Sequence, residues 1–519
     1  MSDDERAEAA ASGMTLAYWA ARRPDDAAII CEHGDRTFGE LNANANRLVR
    51  ALRARGITSG DAIAVMVSNR AEVAEVVAAA LRGGLRYTPI NSHLTADEAA
   101  YIVEDCEARV LVADAAFSAV AREISARAAG LPVRLAVGGD IDGFERYADA
   151  IAPELGGDIT DAVLGGSMLY TSGTTGRPKG VHRAQPIPVA VSPFGYVPGE
   201  SVHLCTGPLY HAAPLAFSLA GPLNAGTGVV LMDGWTAGDT LRLIEKHHIT
   251  HSHMVPTMFH RLLSLPDDVR ERADVSSLRL VLHGAAPCPV WVKQAMIEWW
   301  GPVLLEYYAA TEGLGTWVTS AEWLKKPGTV GKPIPPDAIR VLDEEGRDCA
   351  PGVVGEVCLK ASTEALRFDY YKDPGKTSAS YRGEHFTLGD VGYLDEDGHL
   401  FLTDRSTNLI ISGGVNIYPA EIEAELLAHP AVGDVAVIGV PDTEWGEIVL
   451  AVVELQPGVA PSDELARELI EHCRAHMAHF KCPRRVDFVD ELPRNDNGKL
   501  YKRRLRDEYR AAAAQEVAP

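Results

Sequence analysis

Short apolar runs alternate with amphipathic stretches along most of this chain, and this rhythm limits the fold more than any other feature. Residues 62–67 (AIAVMV) and 86–91 (RYTPIN) have the length and composition of strands. Residues 38–55 carry apolar side chains at helical spacing, and residues 71–84 form a second helical pattern that glycines close. Strand, helix and strand in succession predict a βαβ unit in a parallel sheet.

The same alternation returns over residues 160–310. Apolar strands are predicted at 167–171 (SMLYT), 228–232 (GVVLM) and 278–283 (LRLVLH), with helical stretches between them. This pattern predicts a large doubly wound α/β body whose ligands lie beyond the carboxyl ends of the strands. From about residue 335, short strands joined by turns such as Asp397-Gly398 predict a β-rich subdomain.

Composition excludes several classes of partner and compartment. The 519 residues exceed a single domain, and the net charge of −23 opposes nucleic acid as a partner. Eight scattered cysteines without a C-x-x-C pair suit a reducing compartment. The acidic N-terminus is not a signal peptide, and no apolar run reaches the roughly 18 residues of a spanning helix. We therefore predict a cytoplasmic protein; peripheral membrane contact and a homodimer stay open.

Residues 170–180 (YTSGTTGRPKG) combine glycines, hydroxyl side chains and one lysine. Glycines let backbone N–H groups converge, and hydroxyls with a lysine add donors, so the segment predicts a cradle for phosphate oxygens. The Walker pattern does not fit, because Pro178 stands where the second glycine belongs and Gly180 follows Lys179. The alternative is a flexible surface loop. Its place directly after a predicted strand favours the functional interpretation.

Five further motifs agree in order and spacing with that loop. Together they resemble the adenylate-forming superfamily of acyl-CoA synthetases, peptide-synthetase adenylation domains and firefly luciferase, over residues 15–506. The resemblance implies an AMP-binding domain over 1–405, built from doubly wound α/β subdomains and a small β-barrel-like subdomain. It also implies a small mobile α+β domain over 406–519. The motifs are PLYHAAP (208–214), HGAAPCP (283–289), YYAATEG (307–313), TLGD (387–390) and LPRNDNGKLYKRRLR (492–506).

The resemblance implies that the loop closes on the β- and γ-phosphates of ATP. Pyrophosphate must leave as a carboxylate oxygen attacks the α-phosphorus, and donors that hold the departing group stabilise that step electrostatically. The residues that match the family loop are Thr171, Ser172, Gly173, Thr174, Thr175, Gly176 and Lys179.

The motif at 307–313 is similar to the family pattern Y-G-x-T-E. The similarity implies that Tyr308 stacks on adenine, that Thr311 lies near the α-phosphate and that Glu312 binds Mg²⁺. Ala309 departs from the usual glycine.

Other positions match family residues that surround the nucleotide. The resemblance implies that Asp390 accepts hydrogen bonds from both ribose hydroxyls, as a carboxylate with two acceptor oxygens can. It implies that Arg405 reaches the ribose and phosphate. Three small residues are expected to lie against adenine and the acyl group: Gly284, Ala285 and Ala286.

Two segments of the small domain match the family's two half-reactions. Lys499 matches the lysine that contacts the carboxylate and α-phosphate during adenylation, as a compact and mobile charge can. Residues 411–423 resemble the loop that lines the thiol path, with Gly413 and Gly414 beside pantetheine. Thr407 occupies the hinge position, which usually holds Asp or Lys.

The resemblance predicts an acyl-CoA synthetase that uses ATP, Mg²⁺ and coenzyme A. His211 matches the position at the carboxylate end of the acyl tunnel, and no aspartate near it would bind an α-ammonium group. The predicted substrate is a medium- or long-chain fatty acid or a steroid side-chain acid. Alternatives are an acyl-AMP ligase that loads a carrier protein, an aromatic-acid CoA ligase, a luciferase-like oxygenase and a nucleotide-binding regulator. Residues expected near the acyl pocket are Phe217, Met254, Thr257, Met258, Tyr307, Gly313 and Leu314.

Overall fold

A computed structural model describes the chain in nine segments: residues 3–128, 130–171, 177–188, 193–361, 363, 366–412, 415–442, 445–494 and 500–516. At residues 3, 405, 406 and 512–516 only the backbone is described. Within these segments no helix is both long and apolar enough to cross a membrane.

Helices begin where the sequence offers N-terminal caps and apolar periodicity. Helix Phe38–Ala54 starts at a capping box in which Thr37 and Glu40 each bond the other's backbone N–H, and its apolar face is buried. The α-helices are Asp3–Ala11, Thr15–Ala20, Phe38–Ala54, Ala71–Arg82, Ala96–Asp105, Ser118–Arg127, Tyr147–Ile151, Gly221–Asn224, Ala237–His247, Pro256–Leu263, Asp267–Arg272, Val290–Trp300, Ser320–Trp323, Pro374–Ser380, Pro419–Leu426, Asp463–His476 and Lys502–Glu516. Ala115–Phe117, Pro336–Ala338 and Ser406–Asn408 are 3₁₀ turns, and Pro214–Ala220 is a π-helix.

The largest sheet has nine strands and is parallel through its centre. Antiparallel strands close both of its edges. Helices Ala237–His247, Pro256–Leu263 and Val290–Trp300 cover one face through a core that includes Ile244, Phe259 and Met296. In spatial order the strands are Lys332–Pro333, Leu314–Thr319, Leu304–Ala309, Leu280–His283, His251–Met254, Val202–Cys205, Gly228–Leu231, Ala27–Ile30 and Arg36–Thr37.

A second sheet of six strands is parallel throughout. The predicted strands at 62–67 and 86–91 lie side by side in it, so the predicted βαβ unit is confirmed. In spatial order its strands are Glu145–Arg146, Val133–Val137, Ala108–Asp114, Ala62–Met66, Arg86–Pro89 and Gly166–Ser167.

The segment SMLYT differs from its prediction as one strand of the parallel body. Gly166–Ser167 closes the six-stranded sheet, whereas Leu169–Thr171 pairs antiparallel with Lys179–His182. Strand Asp369–Tyr370 completes this separate three-stranded sheet. The sequence of a five-residue apolar run does not show that the chain passes from one sheet to another within it, because the partner strands determine where that change occurs.

The predicted β-rich subdomain is an antiparallel five-stranded sheet. The turn at Asp397-Gly398 is confirmed as the connection between its two longest neighbouring strands. The strands are Ile339–Leu342, Gly355–Lys360, His385–Leu394, Tyr381–Arg382 and Leu400–Arg405.

The C-terminal part forms a separate mixed sheet with helices packed against it. Strand Arg485–Val489 runs parallel to its neighbour, while the other pairs are antiparallel. The other strands are Val415–Ile417, Ile410–Ser412, Gly446–Leu455 and Val432–Asp442. The predicted α/β class, with a large first domain and a small second one, is confirmed.

Candidate active site

The predicted phosphate loop is the connection of a β-hairpin. Thr171 and Lys179 lie directly opposite each other on its two strands, so the chain between them must turn back. Ser172, Gly173, Thr174, Thr175 and Gly176 fall outside the described residues. The described ends therefore place the base of this loop on the three-stranded sheet.

Lys179 lies beside a carboxylate from a distant part of the chain. Its Nζ is 2.7 Å from an oxygen of Asp373, and this ion pair lowers the pKa of Asp373. The same Nζ is 5.9 Å from the centre of the Tyr370 ring. A phosphate that binds Lys179 must therefore compete with Asp373, at a partly exposed site where such pairs contribute little free energy.

Thr311 and Glu312 lie at the tip of a tight turn. Ala310 and Gly313 exchange both backbone hydrogen bonds, which places the two residues between strands Leu304–Ala309 and Leu314–Thr319. A Cβ at Gly313 would lie 2.8 Å from the ring of Phe386, so only glycine fits there without a shift. The motif that the sequence singled out is thus a hairpin turn that presents its threonine and glutamate.

The Glu312 carboxylate is 6% exposed and has a fixed orientation. Tyr370 donates its phenolic hydrogen to Oε1 of Glu312 at 2.9 Å. Burial, and secondarily the charge of Glu312, raises the pKa of Tyr370, which keeps the phenol protonated as a donor. Arg183 donates to the backbone carbonyl oxygens of Thr311 and Glu312 at 3.1 and 3.0 Å. The turn is therefore held from two sides.

The predicted adenine and ribose residues meet directly. Tyr308 donates its hydroxyl hydrogen to Oδ2 of Asp390 at 2.8 Å, and both side chains are buried. The backbone of Arg405 lies opposite Asp390 in the antiparallel register of their two strands. The structure therefore brings together three residues that are far apart in sequence.

The segment at 284–286 follows the end of strand Leu280–His283. A Cβ at Gly284 would lie 2.5 Å from the carbonyl oxygen of Tyr307, so the protein itself requires glycine here. Ala285 adopts a φ of 66°, a left-handed conformation that costs about 1–2 kcal/mol for a residue with a side chain. Ala285 is exposed and Ala286 is partly exposed. Strained backbone at the carboxyl end of a central parallel strand is typical of a ligand site.

Aromatic side chains cluster on the sheet face that carries Tyr307. The ring of Phe217 lies 4.9 Å from that of Tyr307, and Phe194 lies 6.0 Å from Phe217 and 5.7 Å from Trp317. His253 Nε2 is 2.8 Å from the Tyr307 hydroxyl. Phe194, Phe217 and Trp317 are each partly exposed, so their rings can contact an apolar ligand.

The pKa values of three buried histidines on this face are lowered. Burial lowers the pKa of His253 to about 3 and that of His251 to about 4, and it lowers that of His203 well below its usual range. These imidazoles are therefore neutral at pH 7 and act as polar but uncharged parts of the sheet face.

Two of the residues expected near the acyl pocket, Met254 and Met258, are buried in the core. Met254 and Met258 are 0% and 5% exposed and pack with Phe259 beneath the covering helices. Met254 follows His253 in the same strand, so its side chain points to the opposite face from the aromatic cluster. That these two residues lie near the acyl pocket stays a prediction.

His211 precedes the π-helix Pro214–Ala220. Its backbone N–H donates to the carbonyl oxygen of Pro208, and its ring lies 4.6 Å from that of Tyr210. Buried Asn69 fixes the preceding loop through hydrogen bonds with Gly207 and Leu209. His211 is partly exposed, and the same π-helix carries Phe217 of the aromatic cluster.

In the small domain, the predicted residues Gly413, Gly414 and Lys499 fall outside the described residues. Their flanks are described. Ser412 and Val415 pair across the first segment, and Arg494 and Leu500 form a bridge across the second. Both predicted segments are therefore closed by antiparallel pairs.

Hydrogen bonds hold the residues around the predicted hinge. Arg506 donates to the carbonyl oxygen of Thr407 at 2.5 Å. One carboxylate oxygen of Asp404 accepts from Asn408 at 3.0 Å, and the other accepts from the backbone N–H of Ala420 at 3.1 Å. Asp404 thus links the last strand of the large domain to the first helix of the small one.

Sequence reasoning missed the residues that orient the predicted site. Tyr370, Asp373 and Arg183 support Glu312, Lys179 and the Thr311–Glu312 turn, respectively. No motif marks them in the sequence. Val181 opposes Tyr370 in the three-stranded sheet, and only this long-range strand pairing brings residues 369–373 to the site.

Comparison with protein families decides the class of this site. Residues 16–366 match the family described as AMP-binding enzyme, and residues 421–499 match the AMP-binding enzyme C-terminal domain. The chain is an AMP-binding enzyme of the adenylate-forming superfamily. The resemblance and the expected class of AMP-forming acid–thiol ligase are thereby confirmed. The domain border at 405/406 lies between the two matches and stays a prediction.

Relatives of this AMP-binding enzyme act on different acids. It is 33% identical to the fatty acid–[acyl-carrier-protein] ligase ScoC of Streptomyces coeruleorubidus, over 97% of each chain. It is 34% identical to the 2-succinylbenzoate–CoA ligase of Bacillus licheniformis, over 93% of this chain and 97% of that one. The crystal structure of the anthranilate CoA ligase AuaEII with anthranoyl-AMP has a TM-score of 0.87 and 28% identity. It covers 97% of this chain and 98% of that one.

Proposed function

We propose that this enzyme activates an apolar carboxylic acid with ATP and transfers the acyl group to coenzyme A. The first half-reaction gives an acyl-adenylate and pyrophosphate, and the second gives a thioester and AMP. The observation that carries the proposal is the contact between Tyr308 and Asp390 beside the Thr311–Glu312 turn, within a confirmed AMP-binding domain. It supports a single nucleotide site built from the predicted residues.

In this proposal the nucleotide is positioned by groups on five strands. Tyr308 offers its ring to adenine while its hydroxyl keeps Asp390 oriented toward the ribose hydroxyls. Arg405 lies on the strand opposite Asp390 and reaches the ribose and phosphate. Lys179, Thr171 and the loop between them hold the departing pyrophosphate with donors.

Glu312 is suited to act as a ligand of Mg²⁺. Mg²⁺ prefers carboxylate oxygens, and one Glu312 oxygen is oriented by Tyr370 while the backbone is held by Arg183. Bound Mg²⁺ would supply charge neutralisation for the phosphates. Backbone hydrogen bonds between Ala310 and Gly313 already form the turn that carries Glu312. Glu312 could therefore bind the ion without a change in the backbone of that turn.

The second half-reaction is assigned to the small domain. Lys499 would contact the carboxylate and α-phosphate during adenylation, and Gly413 with Gly414 would leave room for pantetheine afterwards. The small domain would rotate about Thr407 between the two arrangements. Asp404, three residues earlier, accepts hydrogen bonds from Asn408 and from the backbone N–H of Ala420, which both follow this position. His211 would lie at the carboxylate end of the acyl tunnel.

For the acid, we propose a medium- or long-chain fatty acid or a steroid side-chain acid. A second substrate class, aromatic acids, is favoured by the rings of Phe194, Phe217, Tyr307 and Trp317. Aromatic pairs gain about 0.5–1.5 kcal/mol beyond their area burial, which a fatty chain would not gain.

Coenzyme A is the proposed acceptor, and a carrier protein is the alternative, as in the relative that loads a carrier.

The proposed location is the reducing cytoplasm. All eight cysteines lie in described segments and are free thiols, which supports this location.

The test is pyrophosphate release from ATP across fatty acids, steroid acids, benzoates and phenylpropanoids, with and without coenzyme A. Release with one acid class, and conversion of that acid to a CoA thioester, would support the proposal. Release and acyl-adenylate formation without any thioester, but with labelling of a carrier protein, would favour the alternative acceptor. No release with any acid, despite ATP binding, would contradict the proposal.

The role of Lys499 is tested with Lys499→Ala. We expect acyl-adenylate formation to be crippled while thioester formation from supplied acyl-adenylate persists, because the lysine serves only the first half-reaction. Lys502→Ala is the matched control, since Lys502 pairs with Glu423 within the small domain. Equal loss in both half-reactions would remove Lys499 from its assigned role.

A further inference from the structure

Two helices of the small domain bring two histidines and a glutamate together at their surface. His472 Nε2 lies 3.0 Å and His476 Nδ1 lies 2.9 Å from the same oxygen, Oε1 of Glu425. The potential ligand atoms of the three residues all lie within 4.8 Å of one another. His472 and Glu425 are partly buried, and His476 is exposed.

Helix packing fixes this arrangement. Helices Pro419–Leu426 and Asp463–His476 meet through buried Ile422, Leu426, Leu469 and Cys473. Residues four apart lie on one helix face, so His472 and His476 form a stripe beside Leu469 and Cys473. Glu425 precedes Leu426 and therefore reaches this stripe at the edge of the contact. The three side chains converge because the apolar contact between the helices sets their register.

The cluster lacks a basic side chain that would neutralise it. Among the described residues, no lysine or arginine pairs with Glu425, whose ionic contacts are the two histidines. The other group of comparable spacing, Asp395, Asp397 and His399, differs because Lys326 pairs with both aspartates. A lysine ammonium already fills the position that a cation would take there.

Imidazole nitrogens and a carboxylate oxygen are the ligands of three-coordinate zinc sites that keep a fourth position for water. With bonds of about 2.0–2.1 Å, ligand atoms around tetrahedral Zn²⁺ are about 3.3 Å apart. The observed separations of 2.9 and 3.0 Å need an opening of only a few tenths of an ångström. His476 Nδ1 would also give up its contact with the carbonyl oxygen of His472, at 2.9 Å, and His472 Nε2 would give up its contact with the carbonyl oxygen of Glu425, at 3.2 Å.

We propose that Glu425, His472 and His476 form a binding site for Zn²⁺ or a similar divalent transition-metal ion, separate from the nucleotide site. Each imidazole would bind the ion through the nitrogen that faces Oε1 of Glu425, and its hydrogen would lie on the other ring nitrogen. Glu468 lies on the same helix and pairs with His429, whose ring is 5.2 Å from that of His472.

The ion would link the two helices, because its ligands come from both of them. Helix Pro419–Leu426 starts two residues after strand Val415–Ile417, which leads out of the segment assigned to the thiol path. Binding to the folded state alone stabilises it by mass action, so zinc should raise the melting temperature of the protein. The site does not depend on the proposed acid, acceptor or nucleotide chemistry.

The test is zinc titration of the full chain after chelator treatment, by calorimetry without ATP or Mg²⁺. The wild type should bind one equivalent, and His472→Gln, His476→Gln and Glu425→Gln should each bind about 10- to 100-fold more weakly. His479→Gln is the matched control, because His479 is an exposed histidine three residues beyond the cluster. It should bind zinc as the wild type does.

Cobalt and thermal unfolding give independent readouts. Co²⁺ should show tetrahedral ligand-field bands in the wild type that are lost in His476→Gln, and zinc should raise the melting temperatures of the wild type and His479→Gln more than that of His476→Gln. The His476 side chain is 54% exposed, so its substitution should leave the fold intact. His476→Gln therefore tests the proposed zinc site even if a variant of a more buried ligand misfolds. Zinc affinity unchanged in His476→Gln, or a thiolate charge-transfer band from Cys473 or Cys482, would overturn the proposal.

Discussion

At the residue scale, Glu312 shows how a buried carboxylate is kept ready for a cation. The residue is 6% exposed, and Tyr370 supplies the hydrogen bond that a buried polar group requires. The sequence identified Glu312 through a motif. It could not identify Tyr370, because a tyrosine 58 residues away has no local signature of this contact.

Glu312→Gln should weaken the use of Mg²⁺ and ATP. The amide keeps the size of the side chain and can still accept from Tyr370, but it removes the negative charge that a metal ligand supplies. We expect the Mg²⁺ concentration for half-maximal pyrophosphate release to rise by about tenfold or more, as for loss of about 1.4 kcal/mol of binding. The measurement is initial rate against Mg²⁺ at saturating acid.

The matched control for this substitution is Glu344→Gln, which removes an exposed carboxylate in the β-rich subdomain. It should leave the Mg²⁺ dependence unchanged. An identical Mg²⁺ dependence for Glu312→Gln and the wild type would take Glu312 out of the metal site.

At the element scale, one buried ion pair joins helix Val290–Trp300 to strand Leu304–Ala309. Lys293 Nζ lies 2.6 Å from Oε2 of Glu306, with the two side chains 0% and 7% exposed. Burial lowers the pKa of Lys293 and raises that of Glu306, and each charge offsets this effect on the other. Trp323 closes the site, with its ring centre 4.8 Å from Nζ.

Lys293→Met should therefore destabilise the large domain more than removal of both charges does. The single change leaves Glu306 buried without its partner, at a cost of about 3–5 kcal/mol. Lys293→Met/Glu306→Leu replaces both charges with apolar groups and should recover much of that loss. Calorimetric melting of the three proteins checks the order. A double variant that melts below the single one would contradict the argument.

Strand assignment shows the limit of local patterns at this scale. The sequence predicted the βαβ unit over residues 62–91 because helical and strand periodicities are local. It misassigned SMLYT, whose first and last residues pair with different sheets. It also could not show that the register of its strand turns the Met254 side chain into the core.

At the scale of the whole molecule, neutral buried histidines make stability depend on pH. The folded-state pKa values of His253 and His251 are lowered to about 3 and about 4, and that of His203 is lowered well below its usual range. The unfolded chain protonates each near pH 6.5, so it binds more protons than the folded chain below that pH. Stability is thus full above about pH 6.5 and falls as pH decreases toward the folded pKa values.

We expect the free energy of unfolding to fall between pH 6.5 and 5, by up to about 1.4 kcal/mol per pH unit for each such histidine. His253→Gln should reduce this slope by about one proton, since Gln can still bond the Tyr307 hydroxyl but does not titrate. The measurement is the urea midpoint against pH. His479→Gln, which alters an exposed histidine, should keep the wild-type slope, and a wild-type slope in His253→Gln would contradict the prediction.

The sequence alone determined the α/β class, the two-part organisation and the superfamily, because periodicity and motif order are properties of neighbouring residues. It also named Tyr308, Glu312 and Asp390 through those motifs. Tertiary structure decided that Tyr308 bonds Asp390, that Tyr370 orients Glu312 and that Glu425 meets His472 and His476. Such contacts depend on sheet register and helix packing across long stretches of chain, and no local pattern encodes either one.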